Sequence, residues 1–305
     1  MPERAAGGRQ LFCFGLGYTA AHLAPHLREA GIDLSGTCRE PGKGAAWQER
    51  GARVTPWQSG EVLTAQALSG VTDILISVPP DAEGCPALRA LGGALPDGIG
   101  WVGYLSSSAV YGDAHGAWID ETHPPAPRSR DAQARMIAEA QWSAACARAG
   151  AALDRMRLSG IYGPAGRSPF DRLGGGDARA RAIVKPGQVF NRIHVEDAAA
   201  AVLAAMSAPA GDRVLNICDD LPAPAHEVLE YAAMLAGSPP PERVAFDPAT
   251  LPPGVADFYA ENRRLENARL KALPGFRLKY PDYGKGLAAI LAAERRDVRA
   301  GAVPR

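Results

Sequence analysis

The stretch Leu11-Phe12-Cys13-Phe14-Gly15-Leu16-Gly17-Tyr18-Thr19-Ala20 decides the fold. LFCF reads as a buried strand, and from Tyr18 to Ala30 the apolar residues Ala21, Leu23, Ala24 and Leu27 recur at helical spacing. Between them lies GxGxxA, a glycine turn that follows a strand and opens a helix, the context that gives this short string its meaning. Gly15 suits a tight turn, Gly17 lets backbone N–H groups approach a pyrophosphate, and Ala20 is small enough for close helix–sheet packing. The helix N-terminus adds partial positive charge. Gly15, Leu16, Gly17 and Tyr18 are therefore candidate dinucleotide contacts.

Outward from the turn, a second strand, Ile32 to Cys38, ends in Thr37-Cys38-Arg39. An acid about 20 residues past such a turn would bind the adenosine ribose 2′-hydroxyl and repel a 2′-phosphate. None stands at the tip of this strand. Thr37 offers a hydroxyl there, and Arg39 a fork of donors suited to a phosphate. The expectation is NADP(H) in preference to NAD(H), with a surface pairing of Arg39 to Glu40 as the alternative reading.

Further strand-like runs at Ala52 to Thr55, Asp73 to Val78, Trp101 to Ser106 and Leu153 to Ser159 alternate with helical composition at Leu63 to Leu68, Cys85 to Leu95 and Ala132 to Ala149. This alternation predicts an α/β protein, a doubly wound parallel Rossmann sheet covered on both faces. Its carboxyl ends, bearing Gly15, Gly17, Arg39, Val78, Ser107 and Tyr162, should line one crevice, and Val78, Pro79 and Tyr162 join the cofactor contacts. Beyond Leu158 the alternation breaks at Gly163 to Gly166, Gly174 to Gly176, Pro222 to Pro224 and Pro239 to Pro241. The expected division is an NADP-binding core over 1–165 and a smaller, C-terminal substrate-binding lobe over most of 166–305. Residues 190–218 return to the core through the helix Ala198 to Met206 and the strand Val214 to Cys218.

Composition narrows the function. The 305 residues are 47% hydrophobic and 22% charged, with 33 Lys plus Arg against 33 Asp plus Glu, so the expected partner is a small molecule, with no nucleic acid and no membrane. The 5 cysteines include no CxxC and make an odd total, so neither a disulfide framework nor a metal site is expected, and a reducing cytoplasm fits best. The longest apolar run, Ala198 to Met206, is too short to span a bilayer. Oligomeric state is not encoded, a homodimer being one possibility.

Ser106-Ser107-Ser108-Ala109-Val110-Tyr111-Gly112 resembles the SSxxVYG segment of extended short-chain dehydrogenases/reductases, the NAD-dependent epimerase/dehydratase superfamily. Arg157 to Pro164 is similar to that family's R-x-x-x-x-YGP stretch, and Asn191 to Ala198 to its HVxDxA stretch. With GLGY at the first turn, Ser77-Val78-Pro79-Pro80 and Tyr280-Pro281, the chain looks most like the atypical YeeZ-like branch.

The resemblance implies hydride chemistry by a Ser, a Tyr and a Lys, the last two spaced YxxxK, in which the tyrosine exchanges a proton with the substrate. No tyrosine here has lysine four residues on. Anchoring on Glu139 puts Arg135 at the lysine position and Asp131 at the tyrosine position. Arg135 is permanently charged and suits ribose, phosphate or a carboxylate; Asp131 suits a base. Ser107 matches the family's serine, with local backbone bonding as the alternative, and Tyr111 is the nearest spare phenol, with packing of its ring beneath the cofactor as the alternative. His194 is read as shaping the site wall. Arg167, Arg172, Arg179 and Arg181 are read mainly as a solvated face.

Two readings stay open. One is an NADP(H)-dependent oxidoreductase or epimerase acting on a small polar substrate, nucleotide-linked molecules included. The other is a non-catalytic dinucleotide-binding sensor or regulator.

Overall fold

The computed structural model describes residues 8–173 and 180–299. Seven parallel strands form the central sheet: β1 (Gln10–Phe14), β2 (Asp33–Cys38), β3 (Arg53–Pro56), β4 (Asp73–Ile76), β5 (Trp101–Ser107), β7 (Ala152–Leu158) and β11 (Asp212–Ile217). Their spatial order is β11-β7-β5-β4-β1-β2-β3. Three two-stranded pieces lie outside it, pairing β6 (Trp118–Ile119) with β13 (Arg264–Leu265), β8 (Gly160–Tyr162) with β10 (Arg192–His194), and β9 (Arg181–Val184) with β12 (Glu242–Ala245).

Alternation along each strand sends side chains to two cores. Leu11 and Cys13 of β1 pack on one face with α1 (Tyr18–Glu29) and α5 (Val195–Ser207), through Leu23, Leu27, Ala198 and Val202. Phe12 and Phe14 pack on the other with α3 (Pro86–Ala90) and α4 (Arg130–Ala149), through Leu88, Ala138 and Trp142. The doubly wound parallel sheet read from the sequence is the architecture observed.

Helix limits follow local chemistry. Ser129 caps α4, its Oγ accepting from the Ala132 N–H at 3.2 Å, and Gly150 closes the helix at φ +69°. The helix read over Cys85 to Leu95 is only the short α3, because Gly92 and Gly93 sit at positive φ. Leu63 to Leu68 shrinks to one 3₁₀ turn at Ala65–Leu68. The unforeseen α2 (Pro41–Glu49) is anchored by buried Trp47. A third core gathers Tyr162, Phe170, α6 (Ala225–Ala236) and α9 (Tyr283–Arg299) beside the sheet's carboxyl ends. Short helices α7 (Pro253–Phe258) and α8 (Ala268–Lys271) complete the described residues. None of the described helices is long and apolar enough to cross a membrane.

Candidate functional site

Because β1 lies between β2 and β4, the chain's progression reverses there, and the carboxyl ends of β1 and β4 open a crevice. The glycine turn sits in it. Gly15 takes φ +93°, and a Cβ on it would fall 3.0 Å from Val78 Cγ1, so both the backbone angle and the close approach call for glycine. The turn is braced from β2 and α2. Gly15 N–H donates to Thr37 Oγ1 at 2.8 Å, Leu16 N–H to Thr37 O at 2.9 Å, and Trp47 Nε1 to Leu16 O at 3.1 Å.

Thr37 is thus 1% exposed. Its hydroxyl is a strut beneath the turn, which corrects the expectation that it faces the ribose. Gly17, at the N-cap of α1, has no side-chain cap and is followed by no acid in the first turn. The nearest atom to a Cβ on Gly17 would be 3.9 Å away, so open space adjoins the positive end of the helix. An uncapped helix N-terminus beside a tight glycine turn is a donor set that fits a pyrophosphate.

At the tip of β2, Arg39 and Glu40 are both exposed, yet they do not pair. Glu40 accepts instead from Lys43 Nζ at 2.8 Å, which with the charge of Arg39 holds its carboxyl below the usual range. Arg39 makes no hydrogen bond or ion pair among the described residues.

Tyr18 donates from its hydroxyl to Pro164 O at 2.8 Å, and the Arg167 guanidinium lies 4.8 Å from its ring centroid. Burial pushes the phenol up to about 12. Leu16 is buried, Val78 lines the turn from β4, and Pro79 beside it is exposed. Tyr162 departs from expectation. Its ring is buried in the third core, 5.2 Å from the His194 ring, and its hydroxyl reaches toward Asp282 O at 3.5 Å, so the side chain faces α9 instead of the turn.

The end of β5 is built differently. β5 continues three residues past its last pairing with β4, Ile76 to Tyr104, so Ser107 overhangs the crevice. Beneath it runs a buried polar chain. Ser106 Oγ donates to Glu139 Oε1 at 2.6 Å, and Arg157 grips the same carboxylate with Nε at 3.1 Å and Nη2 at 2.8 Å. The Arg157 guanidinium lies 4.6 Å from the Tyr111 ring, and Tyr111 donates to Asn216 Oδ1 at 2.7 Å.

Burial raises the Tyr111 phenol above its ordinary range. Tyr111 is a buried strut, which corrects its reading as a spare catalytic phenol. Ser107, half-buried, accepts from Ala109 N–H at 3.2 Å as the cap of a 3₁₀ turn, so the local bonding alternative is realised. Asp131 is exposed in the first turn of α4. Arg135 turns inward, its Nη1 donating to Leu105 O at 3.2 Å beside the carboxyl end of β5.

His194 caps α5, its Nδ1 accepting from Glu196 N–H at 3.2 Å, and burial pulls it down to about 4. Arg179 and Gly174 to Gly176 lie outside the described residues. Two groups at the crevice's far side carry no role in the sequence reading, half-buried Arg192 on β10 and buried Asp219 just after β11. The signal for Asp219 was an acid pair directly after a buried strand.

The family model for the NAD dependent epimerase/dehydratase family matches residues 87–218. Protein YeeZ of Escherichia coli (strain K12) is 29% identical over 185 residues, 59% of this chain and 58% of YeeZ, so the match spans less than two thirds of that relative. The solved structure of a functionally unknown conserved protein from Silicibacter pomeroyi DSS superposes with TM-score 0.85 at 47% identity, covering 93% of this chain and 99% of that one. MoeE5 in complex with UDP-glucose and NAD superposes with TM-score 0.77 at 21% identity, covering 95% and 100%, a likeness of fold.

Proposed function

From the match of residues 87–218 to the NAD dependent epimerase/dehydratase family we propose that this chain is an NADP(H)-binding, oxidoreductase- or epimerase-like member of it. The uncapped, acid-free N-terminus of α1 beside the braced glycine turn carries the reading. There the uncapped first N–H groups of α1 would receive the pyrophosphate, and Arg39, which forms no ion pair with Glu40, would receive a 2′-phosphate. When bound, a nicotinamide supplies hydride transfer. The NAD held by MoeE5 supports a nicotinamide dinucleotide, and its UDP-glucose supports a small polar substrate lying between the sheet and the third core. All 5 cysteines are free thiols, in keeping with a reducing compartment such as the cytoplasm.

One observation favours the second reading, a binding protein without turnover. The positions of the family's phenol and lysine hold an exposed carboxylate and an inward-turned guanidinium, and the serine is bonded to its own turn. Calorimetric titration with NADPH and NADH tests the cofactor assignment. Tighter NADPH binding is expected; no binding of either, or a preference for NADH, overturns it.

A further inference from the structure

Arg192 lies on the far side of the crevice, where β10 meets the third core. Its Nη1 donates to Phe190 O at 2.8 Å and Ala223 O at 2.9 Å. Its Nε and Nη2 have no partner among the described residues and are not sealed from solvent. Around the guanidinium stand Asp219, Tyr162, Tyr259 and Tyr283, and none of them forms an ion pair with it.

Asp219 is 2% exposed. Its Oδ1 accepts from Leu221 N–H at 3.2 Å, its own N–H donates to Arg192 O at 2.7 Å, and its Oδ2 has no partner. The neighbouring Asp220 is already committed, to Lys271 Nζ at 2.9 Å and Asn267 Nδ2 at 2.7 Å. A half-buried cation without an ion-pair partner and a buried carboxyl oxygen without a hydrogen-bond partner both favour a ligand group that meets them. One ligand group relieves both.

We propose that Arg192 and Asp219 together receive a carboxylate of the substrate. This rests on the reading that the substrate lies between the sheet and the third core. The planar fork of a guanidinium matches a carboxylate edge, and the surrounding phenols suit a flat or aromatic body. A diphosphate would bring at least two negative charges to one guanidinium whose acidic neighbour, Asp219, itself has Asp220 and Asp282 around it.

Burial pushes Asp219 up to about 8, so near neutral pH it is mainly protonated and able to donate from Oδ2 to a carboxylate. The groups facing it are Arg192 on β10, Tyr162 on β8, Asp282 ahead of α9, and Cys218 and Asp220 beside it. Only Arg192 among them favours ionisation. Above about pH 8 the ionised Asp219 would repel a bound carboxylate, so affinity should fall as pH rises.

The test is calorimetry with acetate, pyruvate and benzoate, each against its amide, on the protein with and without NADPH at about pH 6.5 and pH 9.5, with UDP as a third probe. We expect at least one carboxylate to bind about ten-fold or more tightly than its amide at the lower pH. Arg192→Met should remove that preference and Arg192→Lys should weaken it, while NADPH affinity is unchanged in both. Asp219→Asn, which keeps a donor, should flatten the decline at high pH. No carboxylate preference anywhere in the panel, Arg192-dependent binding of UDP with none of the acids, or a pH profile unchanged in Asp219→Asn overturns the proposal. Failure of NADPH itself to bind would strike the cofactor reading alone, because the panel is also read on the protein without NADPH.

Discussion

At the glycine turn the polar side chains point inward and the end of α1 stays uncapped, whereas at the end of β5 the side chains of Ser106, Tyr111 and Ser107 are all bonded within the protein. Thr37 and Trp47 bond the turn from below and leave the end of α1 uncapped. Ser106 and Tyr111 bond Glu139 and Asn216, and Ser107 bonds its own turn. Binding a pyrophosphate needs only the first arrangement. Proton transfer to a substrate in the family runs through a tyrosine, and the second arrangement has Asp131 at that position and Arg135 at the lysine's. Two ends of one crevice therefore differ in what they leave open, a helix end at one and bonded side chains at the other.

The largest effect should come from the closed end. Glu139→Ala strands the buried Arg157 guanidinium and should cost about 3–5 kcal/mol in denaturant unfolding, while adding Arg157→Met should restore much of it. If Glu139→Ala is nearly neutral, the buried chain under Ser107 is not a strut. Acid should act next through His194. Its folded value of about 4 lies below the ordinary 6.5, so the unfolded chain takes the proton more readily. Stability is complete above pH 6.5 and is lost as pH falls toward 4, by up to about 3 kcal/mol. His194→Asn, which keeps a capping oxygen, should show a shallower acid loss; equal slopes would remove His194 from the account.

At the open end, Arg39→Ala should weaken NADPH by about 1.5–3 kcal/mol and leave NADH nearly unchanged, by calorimetry. Equal loss for both cofactors would mean Arg39 does not read a 2′-phosphate. The smallest effect is expected for Ser107→Ala, which loses one local cap worth about 0.5–1 kcal/mol of stability. A loss several times larger would show that Ser107 holds more than its own turn.

The sheet was legible because its strands are buried runs separated by helix-forming segments, and LFCF-GLG marks the start without competition. α2 was not. Pro41-Gly42-Lys43-Gly44 is poor helix sequence, and the helix is held by Trp47 reaching Leu16, a tertiary contact. The turn's glycines were legible from their spacing, whereas Thr37 was misread because a strand tip does not reveal whether a hydroxyl points under the turn or out of it. Tyr111 was misread for a similar reason, since only the fold brings Asn216, 105 residues on, to its hydroxyl. Asp219 carries no motif and Arg192 sits in the Asn191 to Ala198 stretch without a role assigned to it, and their lack of ion-pair partners exists only once β10 and the end of β11 are packed together.

The most direct test of an open binding end beside a closed chemical end is the absorbance of the reduced nicotinamide, followed after NADPH-saturated protein is mixed with a panel of simple aldehydes, ketones and sugar nucleotides. The account predicts saturable binding with oxidation slow or absent, any residual turnover depending on Ser107. Rapid oxidation that survives Ser107→Ala together with Tyr111→Phe would contradict it, and would place the chemistry elsewhere in the crevice.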